Sequence, residues 1–197
     1  MAGSLVLALA MFAAETGAFV GAGVGAQLDN TWAETHSAPA VLVTVGADVS
    51  EHVGIRMAVD VPTTAASIER GSVLGPDRVQ STETHHSTGW SGFVDVHGHL
   101  SERVRIAGLA GLTYTVRPMT LVLSRDLLGA GNAVLAHTEM TQRSRYDWAG
   151  LAFGVETQAR ATTHLSVVPM ATVTFFPLAE YGRTSIGRVG AETRWRF

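Results

Sequence analysis

From residue 19 onward, apolar or small residues repeatedly alternate with polar ones at a period of two, the spacing that puts i, i+2 and i+4 on one face of a β-strand. Segment 185–197 is the clearest case. Ser185, Gly187, Val189, Ala191, Thr193, Trp195 and Phe197 fall on one face, and Ile186, Arg188, Gly190, Glu192, Arg194 and Arg196 on the other. Segment 149–160 sets Leu151, Phe153 and Val155 against Gly154, Glu156, Gln158 and Arg160. Segments 19–28, 41–49, 53–61, 93–100, 104–114 and 165–175 follow the same rule. The pattern predicts about eight strands, each near the ~9–11 residues that cross a bilayer when tilted.

The predicted connections differ in length. Residues 50–52, 101–103 and 161–164 make short reversals, whereas 29–40, 68–91 and 115–146 are long and 177–184 is intermediate. Two of the short reversals share a pattern, Val-Ser-Glu-His-Val at 49–53 and Leu-Ser-Glu-Arg-Val at 100–104, which points to similar turn chemistry. Short hairpins at one end and longer loops at the other describe an up-and-down barrel. The expected fold class is all-β, an eight-stranded antiparallel up-and-down transmembrane β-barrel over residues 15–197.

Alternation alone does not say which face is inside, because a soluble barrel alternates with its apolar face inward. Three features put lipid outside. Glycine is dense on the polar faces (Gly21, Gly23, Gly25, Gly46, Gly54, Gly111, Gly150, Gly154, Gly190); small residues in a narrow lumen leave room for arginine. Aromatic residues gather near strand ends: Trp90, Phe93, Tyr114, Tyr146, Trp148, Phe175, Phe176 and Tyr181 toward the long loops, Phe19, Trp195 and Phe197 at the other end. Such girdles flank an apolar band in membrane barrels. Finally, the apolar faces carry almost no charge, as lipid contact demands. Closure follows, since an open sheet in hydrocarbon leaves backbone groups unpaired at several kcal/mol each.

Composition agrees. The chain is 46% hydrophobic and 16% charged, yet past the N-terminus no segment approaches the ~18 apolar residues of a membrane helix. Cysteine is absent, which excludes a disulfide scaffold and a thiol nucleophile. All 14 basic residues are arginine, from a GC-rich genome or from a need for multiply hydrogen-bonded buried ion pairs. A net charge of -3 suggests no nucleic-acid partner. Residues 1–14 contain an apolar core, 5–14, of signal-peptide length, followed by small residues. No basic residue precedes it, and Ala10, Ala13 and Ala14 are all possible ends; the alternative is a short buried helix.

The segments Gly17-Ala-Phe-Val-Gly-Ala-Gly-Val-Gly25, Trp148-Ala-Gly-Leu-Ala-Phe-Gly-Val-Glu156 and Arg194-Trp-Arg-Phe197, in this order and spacing, resemble the small eight-stranded outer-membrane barrels of the OmpA/OmpX/OmpW type. The resemblance implies a bacterial outer-membrane location, termini in the periplasm, and a terminal Trp195/Phe197 strand read by the barrel-assembly machinery.

The lumen-facing set is Asp48, Arg56, Asp60, Asp95, His97, His99, Arg105, Glu156, Arg160, Arg188, Glu192, Arg194 and Arg196. Opposite charges in a narrow, dry space must pair, so an ion-pair network that plugs the interior is expected. Asp95, His97 and His99 allow a metal site, but crowding argues against it, and no metal or cofactor is expected. His85-His86-Ser87 and His164-Leu165-Ser166 are candidate Ser/His groupings for a hydrolase, and neither has a nucleophile elbow. The long loops, with Trp32, His85 and His86, are the candidate binding surface. The resulting expectation is a monomeric, non-enzymatic envelope or surface-binding barrel in contact with outer-membrane lipid and lipopolysaccharide. The alternatives are a lipid A-modifying hydrolase and a narrow channel for small apolar solutes.

Overall fold

The computed structural model describes residues 17–31, 34–177 and 184–197. The N-terminal segment 1–14, Trp32 and Tyr181, all named above, lie outside them. Ten strands follow in order: β1 (Phe19–Thr31), β2 (Glu34–Asp48), β3 (Val53–Pro62), β4 (Ala66–Leu74), β5 (Asp77–His85), β6 (Thr88–Ser101), β7 (Val104–Leu128), β8 (Val134–Arg160), β9 (Leu165–Phe176) and β10 (Thr184–Arg196). All pairings are antiparallel.

Eight of these strands close a ring in the order β1-β2-β3-β6-β7-β8-β9-β10. Closure is the β1–β10 ladder, in register from Phe19↔Arg196 to Asn30↔Ser185, which removes the edges that hydrocarbon cannot solvate. Among the described residues no helix is long and apolar enough to cross a membrane; strands make the crossing. Val24, Val43, Ile55, Val94, Leu112, Val155 and Val189 face outward and are exposed, while charged residues of the same strands are buried inside. A belt of this composition around a charged centre is stable only in lipid.

The segments expected as long loops are strands, and this is the main correction to the sequence reading. Strand β7 runs beside β6 over 104–116 and then beside β5 over 119–127. Its ladder with β8 starts at Val104↔Ala159 and ends at Leu128↔Val134. The β4–β5 hairpin therefore takes the place of β6 beyond the ring, and β4, β5, β7 and β8 form a four-stranded sheet that stands above it. Above the bilayer both faces of a strand meet water, so the apolar/polar contrast that marks a lipid-facing strand disappears. The β4–β5 reversal turns on Gly75 at φ +63°, a left-handed conformation that glycine adopts without steric cost.

At the opposite end the short reversals share one device. Ser50 Oγ accepts from the backbone N–H groups of His52 (3.3 Å) and Val53 (3.1 Å). Ser101 Oγ does the same for Arg103 (3.4 Å) and Val104 (3.2 Å), and Thr162 Oγ1 for His164 (3.3 Å) and Leu165 (3.0 Å). The hydroxyl satisfies amides that the turn leaves without a ladder partner.

Candidate functional site

The lumen is filled by charged side chains in successive layers. At the short-turn mouth, Asp48 of β2 accepts from Arg105 Nη1 of β7 at 2.9 Å and from Arg196 Nη1 of β10 at 2.5 Å. Arg105 Nη1 also lies 3.2 Å from His97 Nε2, and His97 Nδ1 lies 2.6 Å from Asp95 Oδ1. A guanidinium only donates, so Nε2 is the acceptor and Nδ1–H donates to Asp95.

One layer further in, Glu156 of β8 is the hub. Arg194 of β10 donates to both of its oxygens, at 2.8 and 2.6 Å, and Arg56 of β3 donates from the other side. Arg194 Nε is bound to Glu192, whose second oxygen accepts from Thr44 Oγ1 at 2.8 Å. The two guanidinium groups lie over aromatic rings, Arg56 over Phe93 at 5.2 Å and Arg194 over Phe19 at 4.5 Å, a contact that strengthens when water is excluded. Glycine makes the space: a Cβ on Gly54 would lie 2.5 Å from Asp95 Oδ2.

Above this, Arg188 Nε of β10 pairs with Asp60 Oδ1 of β3 at 2.8 Å, and Arg188 Nη1 donates to Thr174 Oγ1 at 2.9 Å. Highest of all, Arg117 of β7 is ion-paired with Asp29 of β1. Arg117 Nε donates to Ser87 Oγ at 2.7 Å, and its guanidinium lies 4.9 Å from the centre of the Trp148 ring. Strands β1 and β7 stand four places apart in a ring of eight, so this pair spans the barrel. Nearby, His85 Nδ1 is 3.4 Å from Glu83 and Nε2 is 3.7 Å from Asp29.

Of the expected lumen residues, Asp48, Arg56, Asp60, Asp95, Arg105, Glu156, Arg188, Glu192, Arg194 and Arg196 come together as described. Arg160 does not. It is the last residue of β8, exposed at the rim, and makes no ion pair among the described residues. His99 is likewise exposed, where the β6–β7 ladder slips between His99 and Ser101. Phe19, Phe93 and Phe176, assigned above to the aromatic girdles, are buried inside the barrel. The outward girdles are Trp90, Tyr114 and Phe175 at one end and Trp195 and Phe197 at the other. Trp195 stacks on His164 with ring centres 5.5 Å apart.

The sequence reading missed Asp29, Arg117 and the lumen role of His85 and Ser87. Parity held the signal. Asp29 continues the face of Gly25 and Gln27, and Arg117 that of Arg105, Thr113 and Thr115. Neither serine weighed for hydrolysis is set up as a nucleophile. Ser87 Oγ is buried under the Arg117 guanidinium, and Ser166 Oγ is held by Gln158 Nε2 at 2.8 Å. Among the described residues no three His, Cys, Asp or Glu side chains are placed to hold a metal ion.

No family model and no curated protein matches the chain. Solved structures do match its fold. A major outer membrane protein from Thermus thermophilus is 15% identical, with 91% of this chain and 99% of that one covered at a TM-score of 0.56. Neisserial surface protein A is 11% identical over 92% and 98%, at 0.54. The attachment invasion locus protein Ail of Yersinia pestis, in complex with the heparin analogue sucrose octasulfate, is 11% identical over 92% and 99%, at 0.52. The fold, an eight-strand ring with a lipid-facing belt, is that of the bacterial outer-membrane barrels.

Proposed function

We propose that this protein is a monomeric, non-catalytic outer-membrane barrel whose lumen is closed by ion pairs and whose working surface is the sheet of β4, β5, β7 and β8 outside the membrane. The observation that carries this reading is the Arg117–Asp29 pair across the ring, followed inward by Asp60–Arg188, Arg56–Glu156–Arg194 and Arg105–Asp48. A solute crossing the barrel would have to break buried pairs at every layer, and breaking one leaves an uncompensated charge at ~3–5 kcal/mol. Planar-bilayer recording is the test: the purified protein inserts without steady conductance, and a stable open channel in the unmodified protein would sink the reading.

The hydrolase alternative loses support because Ser87 and Ser166 are bound by Arg117 and Gln158 rather than by a general base. The sheet outside the membrane offers contacts for lipopolysaccharide. Arg143 lies on the outward face of β8 beyond the Tyr114 level and is exposed; a guanidinium there suits a lipid phosphate. Trp195 and Phe197, outward on the last strand, are the residues we assign to recognition by the assembly machinery. Ail was solved with a heparin analogue; in this chain Arg125 and Arg145 are already paired with Asp77 and Asp147, which disfavours a polysulfated ligand on the same sheet.

A further inference from the structure

We infer that the far end of the sheet outside the membrane inserts into the lipid surface of a second, apposed membrane. The inference rests on the reading that β4, β5, β7 and β8 stand outside the barrel's own bilayer. Two turns meet at that end, β4–β5 at Gly75-Pro76 and β7–β8 at 129–133, and the Leu128 N–H joins them by donating to the Pro76 carbonyl at 2.6 Å.

The chemistry of this end is that of a lipid-facing surface. Segments 71–76 and 127–136 contain no charged residue. Val73 is 64% exposed, Leu74 69%, Val134 54% and Leu135 67%. A clustered apolar surface of this kind marks an interaction site with protein or membrane. The register separates the two. Leu74, Leu127 and Ala136 fall on one face of the sheet, and Val73, Leu128 and Val134 on the other. A partner protein covers one face. An end that is apolar on both faces, and closed by convex turns, is covered whole only by immersion.

The backbone suits immersion too, since hydrocarbon supplies no hydrogen-bond partner. At the β7–β8 turn the Gly129 N–H donates to the Ala133 carbonyl at 2.7 Å and the Asn132 N–H to the Gly129 carbonyl at 3.2 Å. Pro76, at the other turn, has no N–H to satisfy. Behind the uncharged end the first acids are compensated: Asp77 is 2.6 Å from Arg125, and Asp126, opposite Arg78 on the ladder, is 2.6 Å from His137. Three residues of strand separate Leu127 from the turn, ~10 Å, which matches the ~5–10 Å to which interfacial segments embed.

The lipid is not that of the barrel's own membrane. Fourteen residues of β7 separate the girdle residue Tyr114 from Leu128, roughly 45 Å of strand, and even at a tilt of ~45° the end stands ~30 Å above the girdle.

The test uses the full chain in nanodiscs. The chain has no cysteine, so Ala133→Cys places one environment-sensitive nitrobenzoxadiazole label at the turn and Thr141→Cys places one midway along the sheet. Phosphatidylcholine vesicles are then added. The Ala133 label is expected to start in water and to shift to blue emission saturably with lipid, equally at ~1 M salt, where charge attraction is screened. The Thr141 label should stay in water. Leu74→Asp with Leu135→Asp should weaken vesicle binding by roughly tenfold or more; Leu74→Gln with Leu135→Gln is the second arm if the aspartates prevent folding. A water-like Ala133 label that vesicles leave unchanged overturns the insertion alone. So does an equal shift at Thr141, loss of binding at high salt, or wild-type binding in either folded variant. A blue shift that grows with protein concentration before vesicles are added assigns the end to a second copy of this chain and overturns the lipid assignment. A label already in an apolar environment at every dilution overturns the reading of the sheet itself, and the insertion with it.

Discussion

Arg194 holds Glu156 through two parallel hydrogen bonds, at 2.8 and 2.6 Å, across the intervening strand β9, while Arg56 reaches the same carboxylate from the far wall. One carboxylate thus serves two buried guanidinium groups. Removing it should cost more than removing either arginine's surface counterpart. Glu156→Ala is expected to lower stability by ~3–5 kcal/mol, the usual consequence of stranding buried charge. Arg160→Ala, at the exposed rim, should change it by less than ~0.5 kcal/mol. Denaturant unfolding in lipid vesicles reads both, and a Glu156→Ala loss below ~1 kcal/mol would contradict the hub.

Two glycines of β7, three residues apart, should respond in opposite ways to the same substitution. Gly111 faces the lumen, and a Cβ there would overlap the Gly92 carbonyl oxygen of the neighbouring strand; Gly108 faces lipid with nothing within 4 Å. Gly111→Ala should cost ~1–3 kcal/mol, as overpacking does. Gly108→Ala should be neutral or stabilise by up to ~1 kcal/mol, by narrowing the unfolded ensemble. The comparison is made on one unfolding curve, and equal effects would mean that the lumen is not tightly filled.

The lipid belt predicts a position-dependent cost of charge. Val24 is 69% exposed in the middle of β1, beside Val41 and Ala191. Val73 is 64% exposed on the β4 hairpin outside the membrane. Val24→Arg should destabilise the inserted barrel by ~2–4 kcal/mol, and Val73→Arg by less than ~0.5 kcal/mol. Similar small losses at both positions would place water, not hydrocarbon, around Val24.

His85, on the β5 hairpin outside the membrane, provides a pH dependence. Burial lowers its pKa from the ordinary imidazole value, only partly opposed by Glu83, and His36 and His86 push the same way; Asp29 Oδ2 also faces the ring. A base with a depressed folded-state pKa favours folding while neutral. Its contribution is therefore complete above the unfolded value of ~6.5 and is lost as pH falls through the lower folded value. Amide exchange in β4 and β5 should accelerate relative to the ring strands on acidification below ~6.5. His85→Gln should flatten that dependence; an unchanged pH profile in this variant would assign the effect to another group.

The sequence alone determined the strand count of the ring, the face each strand turns to lipid and ten of the lumen charges, because a strand's side chains alternate with a fixed period and hydrocarbon tolerates only one kind of face. Only the tertiary structure decided which charges meet. Glu156 and Arg194 are 38 residues apart and Arg117 and Asp29 are 88 apart, separations that become contacts when the ring closes in one register. It also decided that residues 66–74, 77–85, 119–128 and 134–144 are strands, since water on both faces erases the contrast that made the others legible. Finally, it set Phe19 and Phe93 beneath arginines and not in the membrane girdle: Phe19 shares its strand face with Gly21, and Phe93 with Asp95 and His97, and position along the strand, not aromatic character, decides which face a side chain takes.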